Sequence, residues 1–243
     1  MPSNNDFVQR DYRRTFGGGL KWFTVRQDQS DLAVGARMGL PRQAEAALRD
    51  ARAAIEAEIA LIPAFLTSFA PLTARPGAPD VVAWMYEAAQ TADVGPMAAV
   101  AGAVAQAVGR SLLAHSPEVI VENGGDLYIA GVSPRSVAVF AGDSPLSMKL
   151  AVRVPPGEWG VCTSAGRVGP SVSLGCADAA MILSHDAALS DAAATALGNR
   201  LHTAADIPAA LEHALGIPGV LGALAVMGDQ IGAAGMIELV PAG

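Results

Sequence analysis

The stretch that most constrains the fold of this 243-residue chain runs from residue 177 to residue 199. An unbroken apolar run within residues 178–184 is typical of a short buried strand. Asp186 follows it and is suited to cap a helix, because its carboxylate can accept backbone N–H groups of the first turn. The helix is predicted to begin at Ala187 and to end at Gly198-Asn199, residue types that tolerate a left-handed cap. We expect the rest of the chain to be organised around this strand–helix unit.

Within the predicted helix, Asp191 and Thr195 are four residues apart, so a carboxylate and a hydroxyl share one face. Two hard oxygens at this spacing suit a Mg²⁺ ion that completes its octahedron with water and a substrate phosphate. The simpler alternative is that Asp191 solvates an early helical turn and Thr195 only fills an alanine-rich helix. The spacing alone favours this simpler alternative.

Composition limits the functional classes. Hydrophobic residues make up 51% of the chain and charged residues only 16%, which predicts deep burial or an interface between copies, so we expect a homo-oligomer, for example a dimer. The net charge is −7, and no basic run or aromatic stripe is present, which argues against a nucleic-acid partner. Residues 1–14 have no apolar signal core, and the apolar stretch 94–108 is too short to span a bilayer. We therefore expect a cytoplasmic protein with no membrane partner.

The cysteines and histidines give no metal pattern. Cys162 and Cys176 have no CxxC spacing, and the four histidines are scattered, so we expect two reduced thiols in the core and no zinc site.

Periodicity and turn signals predict an α+β fold with mixed, mostly antiparallel sheets packed against helices. The chain is expected to form one domain, 1–243, or two intertwined halves of about 1–115 and 116–243. Residues 63–80 hold four prolines and are predicted to be an irregular connection with a short strand or turn. The predicted helices are 41–61, 81–89, 97–115, 187–198 and 207–215, and the predicted strands are 12–16, 20–25, 32–37, 118–122, 126–130, 136–141, 149–154, 160–163, 178–184, 220–226 and 237–240.

Small residues follow one side of the helix predicted over 97–115, namely Ala98, Gly102, Ala105 and Gly109. They would allow close approach of another backbone or of a flat ligand, and tight helix packing is the simpler of the two interpretations. The start of this helix is a potential anion site, because free N–H groups and the helix dipole point there.

Two loops could contribute to a ligand site. Asn123-Gly124-Gly125-Asp126 is a strong hairpin signal, and its carboxylate could also hold a ribose or a metal-bound water. The loop at 164–169 combines hydroxyls, a flexible backbone and the cation Arg167, which suits a diphosphate, although a plain surface loop explains it equally well.

Three segments in this order, V-E-N-G-G-D at 121–126, G-V-C-T-S-A-G at 160–166, and A-D-A with S-D-A-A-A-T-A-L-G-N at 177–199, resemble the ApbE-like family. The similarity is clearest from about residue 93 to residue 199, and the chain looks most like a smaller branch of that family. The best-known members are FAD:protein FMN transferases, which use Mg²⁺ and FAD to attach FMN to a threonine of a target protein. The resemblance therefore implies an ApbE-like fold, a flavin nucleotide or another small molecule as ligand, and an acceptor protein as partner.

The resemblance also implies site residues. Asp191 and Thr195 match the metal-binding Asp and Thr of the family, and a main-chain carbonyl near 95–97 is expected as a third ligand. The cofactor-binding residues implied by the two loops, with Arg167 added for its charge, are Asn123, Gly124, Gly125, Asp126, Thr163, Ser164, Gly166 and Arg167.

One departure bears on activity. The family transferases carry a histidine in an H-I-x-D-P-x-T-G segment that can act as a base, whereas residues 169–175 here read G-P-S-V-S-L-G. Without that base a hydroxyl nucleophile is weak, unless an aspartate or a metal-bound hydroxide replaces it. Two alternatives to FMN transfer therefore remain open. One is a non-catalytic flavin- or nucleotide-binding or accessory protein. The other is a role in sulfur incorporation into homocysteine, which is associated with the branch that the chain resembles and in which Cys162 or Cys176 could handle sulfur.

Overall fold

A computed structural model describes residues 19–165 and 175–242 of the chain. Its helices are α1 (Pro41–Leu61), α2 (Ala64–Thr67), α3 (Asp80–Ala92), α4 (Val100–Leu113), α5 (Ala187–Gly198) and α6 (Ile207–Leu215). Two 3₁₀ turns, Pro96–Ala99 and Ala204–Asp206, precede α4 and α6. The strands are β1 (Lys21–Gln27), β2 (Ser30–Ala36), β3 (Val119–Asn123), β4 (Asp126–Gly131), β5 (Arg135–Ala138), β6 (Leu150–Val154), β7 (Gly157–Ser164), β8 (Ala179–Ser184), β9 (Val220–Met227), β10 (Gln230–Gly235) and β11 (Glu238–Pro241).

The central element is an eight-stranded antiparallel sheet in the order β1-β2-β3-β4-β7-β8-β9-β10. A three-stranded antiparallel sheet, β11-β6-β5, forms a separate layer. The predicted α+β class with mostly antiparallel pairing is confirmed.

Each face of the large sheet has its own apolar core, because successive side chains of a strand point to opposite faces. In β8, Ala180 and Ile182 pack with the helices, while Met181 and Leu183 pack with the small sheet. The β8–α5 unit is thus buried on both sides, as its apolar sequence predicted.

The predicted helices and strands agree with the structure to within a few residues, with three exceptions. The segment predicted as irregular, 63–80, contains the four-residue helix α2. Strand β10 was not predicted. The strand predicted at 12–16 lies outside the described residues, and the division into domains stays a prediction.

The segment Pro96–Leu113 is 18 residues long and, among the described residues, is long and apolar enough to cross a membrane by length and composition alone. It extends beyond the apolar stretch 94–108, which the sequence analysis considered too short to span a bilayer. More than half of it is buried inside the protein, as expected for a core helix.

A buried carboxylate fastens the proline-rich connection to the helices. Glu58 of α1 is 1% exposed and binds the Arg75 guanidinium at 2.8 Å and the Tyr86 hydroxyl at 2.9 Å. The hydrogen bonds from Arg75 keep the pKa of Glu58 below its usual value even though burial acts in the opposite direction. Burial and this carboxylate raise the pKa of Tyr86 to about 12.

Candidate active site

Helix α5 packs directly against the backbone of α4, because α4 has a glycine at the crossing. A Cβ atom placed on Gly102 would lie 2.0 Å from the carbonyl oxygen of Ala187. Asp186 caps α5 as predicted, since its Oδ1 accepts the N–H of Leu189 at 2.9 Å. The buried Gln106 of α4 locks the crossing by donating to Asp186 Oδ2 and accepting from Ala187 N. Gly102 therefore serves helix packing, the simpler of the two interpretations given above, and Gly109 farther along α4 packs against the Tyr128 ring of β4.

Asp191 points from the first half of α5 to the start of α4. Its Oδ2 accepts the backbone N–H of Gly102 at 2.9 Å, so the predicted anion site at this helix start binds a carboxylate of the protein itself. Burial, together with the negative charge of Asp126, raises the pKa of Asp191 well above its usual range. The hydrogen bonds from the α4 backbone oppose this rise and do not cancel it.

The hairpin between β3 and β4 reaches the same helix start. Gly124 and Gly125 have φ values of 71° and 109°, which a two-residue hairpin turn requires and which side chains other than glycine rarely adopt. Asn123 pairs with Asp126 across the turn, and its Nδ2 donates to the carbonyl oxygen of Ala101 at 3.1 Å. The hairpin is therefore tied to the residue that precedes Gly102.

Asp126 links the hairpin to the end of β7. This carboxylate is 8% exposed, and its Oδ1 accepts the backbone N–H of Thr163 at 3.1 Å. Its charge acts on Asp191 and also on the thiol of Cys162. Four residues predicted from separate parts of the sequence therefore meet where the central strands β3, β4 and β7 reach α4 and α5, namely Asn123, Asp126, Thr163 and Asp191.

The remaining predicted residues are placed less fully. Thr195 lies one turn after Asp191 on α5 and is half-buried. Ser164 is buried at the end of β7 opposite Ala180. Gly166 and Arg167 lie outside the described residues. The carbonyl expected near 95–97 belongs to the 3₁₀ turn before α4, which packs against α5.

Sequence reasoning missed Gln106 and the two backbone groups at the start of α4. The available signal for Gln106 was a single polar residue inside the apolar run 100–109, which suggests a buried hydrogen-bonding role. The hydrogen bond from Gly102 to Asp191 joins residues 89 positions apart, so no local pattern could reveal it.

The donor chemistry at these strand ends fits a hard cation. Burial is the main cause of the raised pKa of Asp191, and the negative charge of Asp126 adds to it, so a cation between the two carboxylates would relieve both effects. Within residues 19–165 and 175–242, no group of three or more His, Cys, Asp and Glu side chains could hold a metal ion. An ion here would need water or ligand oxygens besides the protein, as Mg²⁺ usually does.

The two cysteines differ. Cys162 is a buried core thiol as predicted, and burial with the charges of Asp126 and Asp191 raises its pKa well above the usual value. Cys176 is exposed, so its prediction as a core thiol was wrong. Its backbone N–H binds the carbonyl of Leu201 at the rim of the helical layer, where the side chain meets solvent.

Comparison with known proteins identifies relatives over most of the chain. The family model described as AbpE bacteria matches residues 13–229. A protein named UPF0280 protein from Methanoculleus marisnigri is 43% identical over 212 residues, which cover 86% of this chain and 85% of the relative. The UPF0280 protein of Methanocella arvoryzae is 42% identical over 189 residues, covering 76% and 77%.

Solved structures share the fold at low identity. The flavin transferase ApbE from Vibrio cholerae superposes with a TM-score of 0.57 and 10% identity, covering 89% of this chain and 96% of that one. The ApbE protein from Thermotoga maritima gives a TM-score of 0.55 and 13% identity, covering 88% and 97%. At these identities the likeness shows the fold, which is that of the ApbE flavin transferases.

Proposed function

The chain belongs to the family described as AbpE bacteria, and from this premise we propose that it is a Mg²⁺-dependent flavin transferase that uses FAD. In this proposal FMN passes from FAD to a threonine or serine hydroxyl of an acceptor protein. The flavin transferase ApbE from Vibrio cholerae, which has the same fold, supports the reaction class by analogy.

The single observation that carries the proposal is the convergence of two carboxylates beside the start of α4, where Asp126 accepts the N–H of Thr163 and Asp191 accepts the N–H of Gly102. Two partly desolvated carboxylates are unfavourable together unless a proton or a cation lies between them. Asp191 and the hydroxyl of Thr195 would hold the cation, and the remaining positions of its octahedron would be open to water and to the diphosphate of FAD.

The cation would supply charge stabilisation to the diphosphate as its P–O–P bridge breaks. The residues of the chain would orient the reactants. The Gly124-Gly125 turn has no side chains and would allow the nucleotide to approach the backbone, while Asp126 keeps that turn fixed to Thr163. The acceptor oxygen forms the new bond to the phosphorus of FMN, AMP leaves, and the hydroxyl proton passes to a base.

The presence or absence of such a base distinguishes a transferase from a protein that only binds the nucleotide. Residues 169–175 contain no histidine, which favours the second candidate, a protein that binds flavin or another nucleotide without transferring it. A carboxylate base is the route by which the first candidate could still operate. For the sulfur-related alternative, Cys162 is poorly suited as a nucleophile because burial and two carboxylates disfavour its thiolate, whereas Cys176 is exposed.

Calorimetric titration of FAD with and without Mg²⁺, on wild type and on Asp191→Asn, tests the site. Asn keeps an oxygen that can accept the Gly102 N–H and removes the charge, so the fold should be kept. Asp206→Asn is the matched control, since Asp206 also accepts backbone N–H groups at the start of a helical turn and lies elsewhere. We expect Mg²⁺-dependent binding in wild type and in the control, and its loss in Asp191→Asn. Absence of FAD binding to wild type under both conditions would refute the flavin site.

Turnover then separates the two candidates. FAD is incubated with the protein, Mg²⁺ and a threonine-bearing acceptor polypeptide, and released AMP is measured by chromatography. AMP release together with flavin covalently bound to the acceptor supports the transferase. FAD binding with no AMP release supports the non-catalytic alternative.

A further inference from the structure

Helix α5 carries both of the proposed metal ligands, Asp191 and Thr195. These two residues keep their mutual spacing however the helix is placed, because they lie about one turn apart on the same element. Their position relative to Asp126 of β4 and to the start of α4 depends instead on how α5 is held against its neighbours. The contacts of the first turn of α5 therefore bear directly on the candidate site.

The buried Gln106 of α4 makes two hydrogen bonds to that first turn. Its Nε2 donates to Asp186 Oδ2 at 3.1 Å, and its Oε1 accepts the N–H of Ala187 at 2.7 Å. The other oxygen of Asp186 accepts the N–H of Leu189, so both oxygens of the capping carboxylate are engaged. Ala187 is the first helical residue, and its N–H has no acceptor within the helix. Gln106 thus fixes both the cap and the first turn of α5.

This bridge lies one helical turn from the contact of Asp191. Gly102 precedes Gln106 by four residues on α4. Asp191 follows Ala187 by four residues on α5. The facing sides of the two helices are consequently joined twice, by Gln106 at one level and by the bond from Gly102 N–H to Asp191 Oδ2 at the next. A helix that is held at the first level is restricted in its rotation at the second.

The sheet holds the first turn of α5 from another side. The thiol of Cys162 on β7 contacts the carbonyl oxygen of Ala187 at 3.4 Å. A Cβ atom placed on Gly160 would lie 2.4 Å from the Cα of Ala187, so β7 and α5 are in direct backbone contact. The hydroxyl of Ser190 donates to the carbonyl of Gly160 at 3.0 Å. The first turn is therefore clamped between β7 and α4, and Gln106 is the polar contact from the α4 side.

We propose that Gln106 is a positioning residue, which sets the rotation of α5 so that Asp191 and Thr195 can bind Mg²⁺. This inference rests on the proposed function. A rotation of α5 by about 10° would move an atom ~5 Å from the helix axis by about 0.9 Å. Mg²⁺ demands near-ideal octahedral geometry with oxygens at about 2.0–2.1 Å. A displacement of this size would therefore weaken the binding of the ion.

The first test measures how much Mg²⁺ the full chain needs for half-maximal FAD binding, by calorimetric titration of FAD at a series of Mg²⁺ concentrations. Gln106→Met keeps a similar size and removes both hydrogen bonds to α5. We expect the required Mg²⁺ concentration to rise about ten-fold, the lower end of what is usual when the support of a metal ligand is lost. Glu58→Gln is the matched control, because it weakens buried polar contacts to Arg75 and Tyr86 that involve neither α4 nor α5. It should leave the required concentration unchanged.

A swap of the two polar groups tests the hydrogen bond itself. Gln106→Glu retains an acceptor for the N–H of Ala187 but turns a carboxylate towards Asp186, so the required Mg²⁺ concentration should rise. Adding Asp186→Asn supplies a donor opposite that carboxylate, while the asparagine Oδ1 can still accept the N–H of Leu189. The double variant should return towards the Mg²⁺ requirement of wild type, which a general loss of stability would not do.

Hydrogen exchange gives a readout that needs no ligand. The amide of Gly102 donates to Asp191, and its exchange rate is compared with that of Ile182, a buried amide of the central strand β8. This ratio removes the contribution of global unfolding. It should rise about ten-fold in Gln106→Met, because local opening of the contact exposes the amide, and it should stay constant in Glu58→Gln.

The results separate this proposal from the proposed function. If wild type shows no Mg²⁺-dependent FAD binding, both are overturned. If wild type binds as expected, this proposal alone is overturned by any of three results. These are an unchanged Mg²⁺ requirement in Gln106→Met, a double variant no better than Gln106→Glu, and an unchanged exchange ratio for Gly102 in Gln106→Met.

Discussion

The contact between α4 and α5 predicts a specific cost for adding one methyl group. In Gly102→Ala the new Cβ would lie 2.0 Å from the carbonyl oxygen of Ala187 and 2.9 Å from the Cβ of Asp191. The first of these atoms belongs to the backbone of α5, so a side-chain rotation cannot relieve the clash. The two helices must separate, and the hydrogen bond from Gly102 to Asp191 must lengthen.

Two opposing terms set the magnitude. Overpacking of a rigid core costs about 1–3 kcal/mol, and a backbone obstacle places this substitution near the upper end. Alanine is preferred over glycine inside a helix by about 1 kcal/mol, which offsets part of that cost. The net loss of about 2 kcal/mol should lower the melting temperature by about 4–8 °C, since about 2–4 °C per kcal/mol is usual at this chain length.

Thermal unfolding followed by circular dichroism measures this loss, with two control variants. Gly39→Ala, where a Cβ meets nothing within 4 Å, should change the melting temperature little. Gly109 lies in the same helix as Gly102, and a Cβ added there would clash with the Tyr128 ring of β4. Gly109→Ala should therefore destabilise the protein but leave Mg²⁺-dependent FAD binding intact. A melting temperature for Gly102→Ala equal to or above that of wild type would refute the packing argument.

Three further outcomes are expected. Arg75 holds the pKa of Glu58 below its unfolded value, so ionised Glu58 stabilises the fold above about pH 4.3, and this stabilisation is lost as pH falls through the folded pKa. Glu58→Gln should therefore lower the free energy of unfolding, measured with urea at pH 7, by about 1–3 kcal/mol. It should also make that free energy less dependent on pH below about pH 5. Asp186→Ala removes the cap of α5 and also the acceptor of the buried Gln106 Nε2, so it should cost about 2–4 kcal/mol in the same assay, whereas an unchanged midpoint would contradict both contacts. Iodoacetamide should label only Cys176 in the native protein, because Cys176 is exposed and Cys162 is buried, and it should label Cys162 only after unfolding. Rapid labelling of both cysteines in the native protein would show that Cys162 is accessible.

Local chemistry made much of the fold predictable. Helix α1 follows from its apolar spacing and its initial proline, and the start of α5 follows from the cap at Asp186. Helix α5 ends at Gly198 as predicted, but Asn199 has φ −61°, so the predicted left-handed cap is absent there. The β3–β4 hairpin follows from Asn123-Gly124-Gly125. Each of these signals lies within a few residues of the structure that it specifies.

Strand β10 shows where such reasoning ends. Four of its six residues are glycine or alanine, which have low intrinsic preference for strands, and its place in the sheet comes from pairing with β9. The Asp191–Gly102 contact failed to be predicted for a related reason, because it depends on how two distant helices cross. At the candidate site, the spacing of Asp191 and Thr195 alone favoured no function, and only the resemblance to a known family proposed metal- and cofactor-binding roles for the site residues.

The order of strands in the large sheet has a consequence for how the chain is made. The eight strands lie side by side in the order in which they are synthesised, so each new strand can add to the one before it as the polypeptide leaves the ribosome. The small sheet cannot grow in this way, because its middle strand β6 waits for β11, the last strand in the described chain. The apolar face that includes Met181 and Leu224 packs with Val152 and Val154 of β6, so pairing of β5 with β6 can supply its cover before β11 is made, and the late strand leaves little of this core exposed to aggregation.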